Sequence, residues 1–174
     1  MSTFSSHLQR FSDTVGAVAD WDADSPCQGW SAADVLAHVI DTQRDFMAER
    51  GESLGPRPTG TPAQQWETHR QHIESALRDQ EVGATPFEGY FGPTTVQDTL
   101  DLFYGFDLLV HRWDIATADG QSLGFTPIEL DQIEAAAQGF GPGLRMEGIC
   151  GPALVTEAGA SRQVRVLAHL GRHT

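Results

Sequence analysis

Residues 103–120 read FYGFDLLVHRWDIATADG, and how this stretch folds decides the architecture. Its Phe, Leu, Val, Trp and Ile content marks it for burial, yet Asp107, His111 and Asp114 lie inside it. A charged group taken out of water without a partner is costly, so each of the three needs a reason. At 3.6 residues per turn, separations of four and three put all three on one side of a helix. Leu100, Phe103, Phe106, Leu108, Leu109, Val110 and Trp113 cover most other directions, so this helix is buried on nearly every side. A polar stripe there must meet partners from elsewhere in the chain.

Outward from this segment the signals are mostly helical. Residues 3–19 carry Phe4, Leu8, Phe11, Val15 and Val18 at three-and-four spacing, predicting a first helix. Pro26 and Gly29 break the pattern. Ser31 then caps SAADVLAHVIDTQRDFMAERG, a second helix over 31–50 with Asp34 in its first turn and Gly51 as its stop. Thr61–Pro62 opens a third helix through Trp66 to about residue 82, and a fourth runs over 94–119, ended by Gly120. GATPFEGYFGPTT reads as the connection between them. After residue 120 come TPIELDQIEAAAQGF as a fifth helix, a Gly- and Pro-rich loop, and a short final helix in SRQVRVLAHLGRH. The expectation is an all-α fold, a four-helix bundle with a C-terminal appendage of one or two short helices over 120–174, forming a single domain across 1–174.

In the second helix Leu36, Val39, Ile40 and Met47 define the core-facing arc, and His38 lies at its border. Should the second and fourth helices be neighbours, His38 can meet Asp107 and His111 across the bundle interior. Two imidazoles and a carboxylate, with room left for water or substrate, form the donor set of catalytic divalent-metal sites. An Asp and a His four apart recur by chance, so the spacing alone does not decide this.

Composition narrows the partners. A formal net charge of -13 arises from 24 acidic side chains against 11 Arg, with no Lys. That field repels phosphate backbones and anionic bilayers, so nucleic acid and membrane surfaces are not expected partners. Cys27 and Cys150 form no CxxC pair and read as small buried hydrophobes or idle thiols. With no apolar leader in the first 20 residues and no membrane-length apolar run, a cytoplasmic location with reduced thiols is expected.

Three stretches, CQGWSAADVLAHVID, FDLLVHRWDIATADG and VLAHLGRH, occur in this order. Together they resemble the actinobacterial branch of the DinB-like superfamily, and more closely the short proteins related to the N-terminal domain of mycothiol-dependent maleylpyruvate isomerase. His-x-Trp-Asp at 111–114 and Leu-Gly-Arg at 170–172 are its most specific parts. The resemblance implies a DinB-type four-helix bundle in which His38, Asp107 and His111 ligate a divalent metal, zinc first and nickel second. Asp107 departs from the pattern, which has Glu there in the isomerase and His in more distant relatives. The resemblance further implies an enzyme that activates mycothiol, or water, against an electrophilic small-molecule substrate for transfer, isomerisation or hydrolysis. The Arg-only composition fits an actinobacterial thiol. A non-catalytic metal- or small-ligand-binding protein is the alternative, and a homodimer stays open.

Around the triad, Asp114 is expected to anchor the free ring nitrogen of His111 or to bind a loop amide. Asp34, one turn before His38, either orients that imidazole or complements the helix dipole, and its first-turn position favours the latter. Arg172 either holds a substrate carboxylate or pairs with an acidic side chain, the second weighing more. Trp113 is expected as core filler, and His69 and His72 as surface residues.

Overall fold

In a computed structural model, which describes residues 2–146 and 148–174, the chain is a DinB-like helical bundle with further helices C-terminal to it. Its elements are α1 (Thr3–Val15), α2 (Ala32–Glu49), α3 (Pro62–Ala76), α4 (Gln80–Ala84), strands β1 (Pro86–Gly89) and β2 (Gly92–Thr95), α5 (Val96–Thr99), α6 (Gly105–Ala118), α7 (Pro127–Phe140) and α8 (Arg162–His169). A π-helical turn, Leu100–Tyr104, joins α5 to α6. Helices α1 and α2 each pack against both α3 and α6, which closes the four-helix core.

The caps form where the sequence places them. Ser31 and Asp34 make a reciprocal capping box at α2, and Thr61 and Gln64 do so at α3 behind Pro62. Thr126 and Glu129 repeat the device at α7. The expected third helix is shorter than its pattern, stopping at Ala76 with Leu77 as cap, because Asp79 starts α4 by accepting from the Glu81 amide. Residues 94 and 95 belong to β2, so the fourth helix begins at Val96. The expected connection over 83–95 contains an antiparallel hairpin, with Phe87 paired to Thr94 and Gly89 to Gly92. Tyr90 and Phe91 form its two-residue tip, and Gly92 holds φ +105, a conformation costly for other residues.

The all-round apolar character of α6 reflects two cores. Leu108 and Ile115 join Phe4, Leu8, Phe11, Val39, Ile40, Trp66 and Ile73 inside the bundle. Leu109, Val110 and Trp113 face a second cluster with Ile133, Phe140, Leu144, Val166, Leu167 and Leu170 from the C-terminal extension. Trp113 is core filler, as expected, at 5% exposure. Every residue of the α2 arc is buried.

His69 contradicts its surface expectation. It is fully buried, with Nε2 2.9 Å from Gln43 Oε1 on α2, and burial drives its pKa down to about 3. His72 is partly buried. The polar residues around them in α3 concealed that α3 turns His69, with Trp66 and Ile73, toward the bundle interior.

Candidate metal centre

His38, Asp107 and His111 converge where α2 passes α6. His111 Nε2 stands 3.2 Å from Asp107 Oδ1, and His38 Nε2 stands 3.8 Å from the same oxygen. The two imidazole rings meet edge to face, 5.2 Å apart between centroids. One ligand atom from each of the three residues lies within 4.8 Å of the others. Ligands of one tetrahedral ion at about 2.0–2.2 Å stand roughly 3.3–3.6 Å from each other, so a small rotamer adjustment suffices.

The second oxygen of Asp107, Oδ2, is buried and has no hydrogen-bond partner. Among the described residues no Arg pairs with this carboxylate. Burial pushes the Asp107 carboxyl up, but the charge of His111 at 3.2 Å and the nearby His38 imidazole outweigh that and hold it well below the usual carboxylate range. A carboxylate fixed in its charged form between two imidazoles, with a spare buried oxygen, fits a cation.

Behind the triad lies a more deeply buried layer. His111 Nδ1 is 2.9 Å from Asp114 Oδ2, and Asp114 is fully buried. Of the two roles open to Asp114, contact with the His111 ring is the one observed. Its pKa is lowered: burial acts against this, but His111 and Arg172 overcome it. Burial likewise opposes protonation of His111, yet Asp107 and Asp114 on its two nitrogens raise its pKa well above normal.

Arg172 supplies the counter-charge from the far end of the chain. Its Nη2 donates to Asp114 Oδ2 at 3.0 Å and its Nε to Oδ1 at 3.3 Å. Nη1 donates to the Leu170 carbonyl at 3.0 Å and lies 3.7 Å from Cys150 Sγ, while Nη2 is 3.6 Å from Cys27 Sγ. The guanidinium is thus engaged all round, and the pairing expected for Arg172 is the role displayed; a substrate carboxylate would have to displace Asp114. Gly171 makes this reach possible. At φ +79 it turns the chain after α8, and a Cβ there would meet the Gly151 and Pro152 backbone at 3.0 Å. The Leu-Gly-Arg ending is therefore a turn that carries Arg172 back beneath α6.

Asp34 does not orient His38. Its Oδ2 accepts from Ser31 N at 2.9 Å and Ser31 Oγ at 2.8 Å, at an exposed position. The reason is its place at the third position of α2, where the free amide of the cap is the nearest partner.

Cys27 is the residue that sequence reasoning left idle. Its Sγ lies 3.3 Å from Asp114 Oδ2, and Cys27, His111 and Asp114 form a second group of potential ligands. Arg172 decides between the two groups. A cation among Cys27, His111 and Asp114 would face a fixed guanidinium at contact distance, whereas the His38 group has none beside it. The position of Cys27 within the loop leading into α2 was the available signal, and its Asp partner 87 residues away was not.

Both groups open on one cavity of about 1250 Å³, lined also by Thr42, Phe46 and the hairpin tip. No helix of the described residues is long and apolar enough to cross a membrane.

Comparison with known proteins places these residues. Two uncharacterized proteins of Mycobacterium tuberculosis, from different strains, are each 28% identical to this chain over 154 residues, spanning 80% of it and 81% of the relative. No solved structure matches. The family model described as the mycothiol maleylpyruvate isomerase N-terminal domain matches residues 4–116. That span holds His38, Asp107, His111 and Asp114, while Arg172 and the second core lie mostly beyond it. On this match the chain belongs to the family of the mycothiol maleylpyruvate isomerase N-terminal domain.

Proposed function

We propose that the protein binds a divalent metal, zinc first and nickel second, through His38, Asp107 and His111. In this reading it activates a low-molecular-weight thiol, mycothiol in the first place, for reaction at an electrophilic carbon. The observation that carries the reading is the buried, unpartnered Oδ2 of Asp107, set on a carboxylate between two imidazoles with no arginine paired to it among the described residues. Family membership supports the thiol, because mycothiol stands in the description of the matching domain.

A divalent cation held there supplies the positive charge that lowers the pKa of a bound thiol or water. The chain's own residues do the rest. Asp114 accepts from His111 Nδ1, fixing the ring so that Nε2 faces the site. Arg172 keeps Asp114 ionised and in place. His38 and Asp107, each about one quarter exposed, form the side of the cluster that opens to the cavity. In the reaction the thiol loses its proton, its sulfur lone pair forms the bond to carbon, and the proton passes to the displaced group or to the adduct.

Calorimetric titration of chelator-treated protein with zinc and with nickel tests the first step, with His111→Ala as control. One equivalent bound by the native chain and none by the variant is expected. Equal uptake by both, or none by either, overturns the proposal. Thiol consumption by the metal-loaded protein across a panel of electrophiles then separates an enzyme from a binding protein.

A further inference from the structure

The cavity beside the triad, about 1250 Å³, exceeds the about 300–1000 Å³ common for small-molecule pockets. Its wall changes character with distance from His111. Phe106 precedes Asp107 directly, and Phe103 sits one helical turn further back, about 6 Å along the axis from Asp107. From that point the lining is aromatic.

Three rings stand nearly parallel there. Phe103 and Phe140 are 4.8 Å apart at 14°, Phe91 and Phe103 are 5.9 Å apart at 15°, and Phe91 and Phe140 are 6.5 Å apart at 8°. Phe106 closes one side, perpendicular to Phe140 at 5.2 Å. Phe91, from the hairpin tip, remains 54% exposed despite this stacking. Leu102, Met146 and Ile149, on the same cavity, are also about half exposed. Apolar surface of this kind gathered in a concavity marks a ligand face.

The charges around it select the ligand. Among the described residues three arginines line the cavity, and each is engaged. Arg50 lies over the Phe46 and Phe87 rings and pairs with Glu49, Arg145 donates to the Gly151 and His169 carbonyls, and Arg172 is held by Asp114. An organic dianion would meet one cation without a carboxylate partner, Arg145, whose guanidinium is already held by two carbonyls, against Glu49, Glu88 and Asp107 on the same lining and a chain of net charge -13.

We infer that the chamber formed by Phe91, Phe103, Phe106 and Phe140 binds an uncharged planar aromatic molecule. As a binding site it stands on the ring geometry alone; that its ligand is the electrophile attacked by the thiol rests on the proposed function. Phe140 lies outside the matched domain, so the C-terminal extension helps to set this preference.

The test is a fluorescence titration of the metal-free full chain with N-phenyl-1-naphthylamine, a neutral aromatic probe. One saturable site is expected, weakened at least fivefold in Phe91→Ala and changed less than twofold in His111→Ala. Maleate at millimolar concentration should not displace the probe. Phe91→Ala alters an exposed tip, and an unchanged circular-dichroism melt shows that it folds. Absence of saturable binding, insensitivity to Phe91→Ala, or displacement by maleate each overturns the inference. So does a native dimer in sedimentation that becomes a monomer in Phe91→Asp, because a second copy would then cover the rings. Probe binding that persists when metal titration fails sinks the metal proposal alone, and the converse sinks only the chamber.

Discussion

Replacing Asp114 by Asn keeps its shape and removes its charge, leaving Arg172 buried at 7% exposure without its carboxylate. Removing one partner of a buried ion pair costs about 3–5 kcal/mol, chiefly because the remaining charge is stranded. The geometry supports the upper part of that range, since both Asp114 oxygens accept from the guanidinium, at 3.0 and 3.3 Å, and Asp114 is fully buried. Adding Arg172→Met removes the stranded charge, so the double variant should recover at least about 2 kcal/mol relative to Asp114→Asn. Metal affinity should behave differently. Both variants give His111 Nδ1 a neutral acceptor in place of a carboxylate, and both should bind zinc about 10–100-fold more weakly than the native chain. Urea unfolding at pH 7.5 and calorimetric zinc titration on the four proteins of the cycle provide the two readouts. Stability and affinity recovering together in the double variant would refute the division of labour, because the stranded Arg172 charge, and not the lost Asp114–His111 contact, would then have weakened metal binding. Strictly additive stability effects would refute the ion pair itself.

Three further outcomes follow from the geometry. Asp107→Asn should weaken zinc binding more than the about 10–100-fold typical of a partner outside the coordination sphere, since a ligand charge is lost; calorimetry measures this. His69 carries a folded pKa of about 3 against about 6.5 when unfolded, so below pH 6.5 the unfolded chain binds a proton that the folded chain refuses. Stability attached to His69 is therefore fully present above pH 6.5 and lost as pH falls toward 3, by about 2 kcal/mol at pH 5. His69→Gln should lack that component, and identical pH dependence of urea unfolding in the two proteins would contradict it. Ser31→Ala removes the side-chain half of the α2 capping box and should cost about 1 kcal/mol in thermal unfolding, with zinc affinity unchanged because Asp34 does not touch His38.

The helical bundle and the polar stripe of α6 were legible because both are local. A spacing of four and three residues fixes the direction of Asp107, His111 and Asp114 as soon as the segment is helical, and Ser31, Thr61 and Thr126 announce their helices through their own side chains. His38 was legible only up to the condition that α2 and α6 be neighbours, which packing fulfils. The hairpin was missed because Gly-Tyr-Phe-Gly offers no strong turn dipeptide, and His69 because a polar neighbourhood in sequence became a buried one in space.

By itself the sequence determined the main helices and which side chains each can present, since backbone periodicity and capping depend on residues a few positions apart. Only the tertiary structure decided which of those side chains meet. Arg172 reaches Asp114 across 58 positions, and Cys27 reaches it across 87. Phe91, Phe103 and Phe140 stack only because the hairpin, the π-turn and α7 come together around one cavity. Such meetings depend on how whole elements pack, and packing is set by the summed burial of residues scattered along the chain rather than by any short stretch of it.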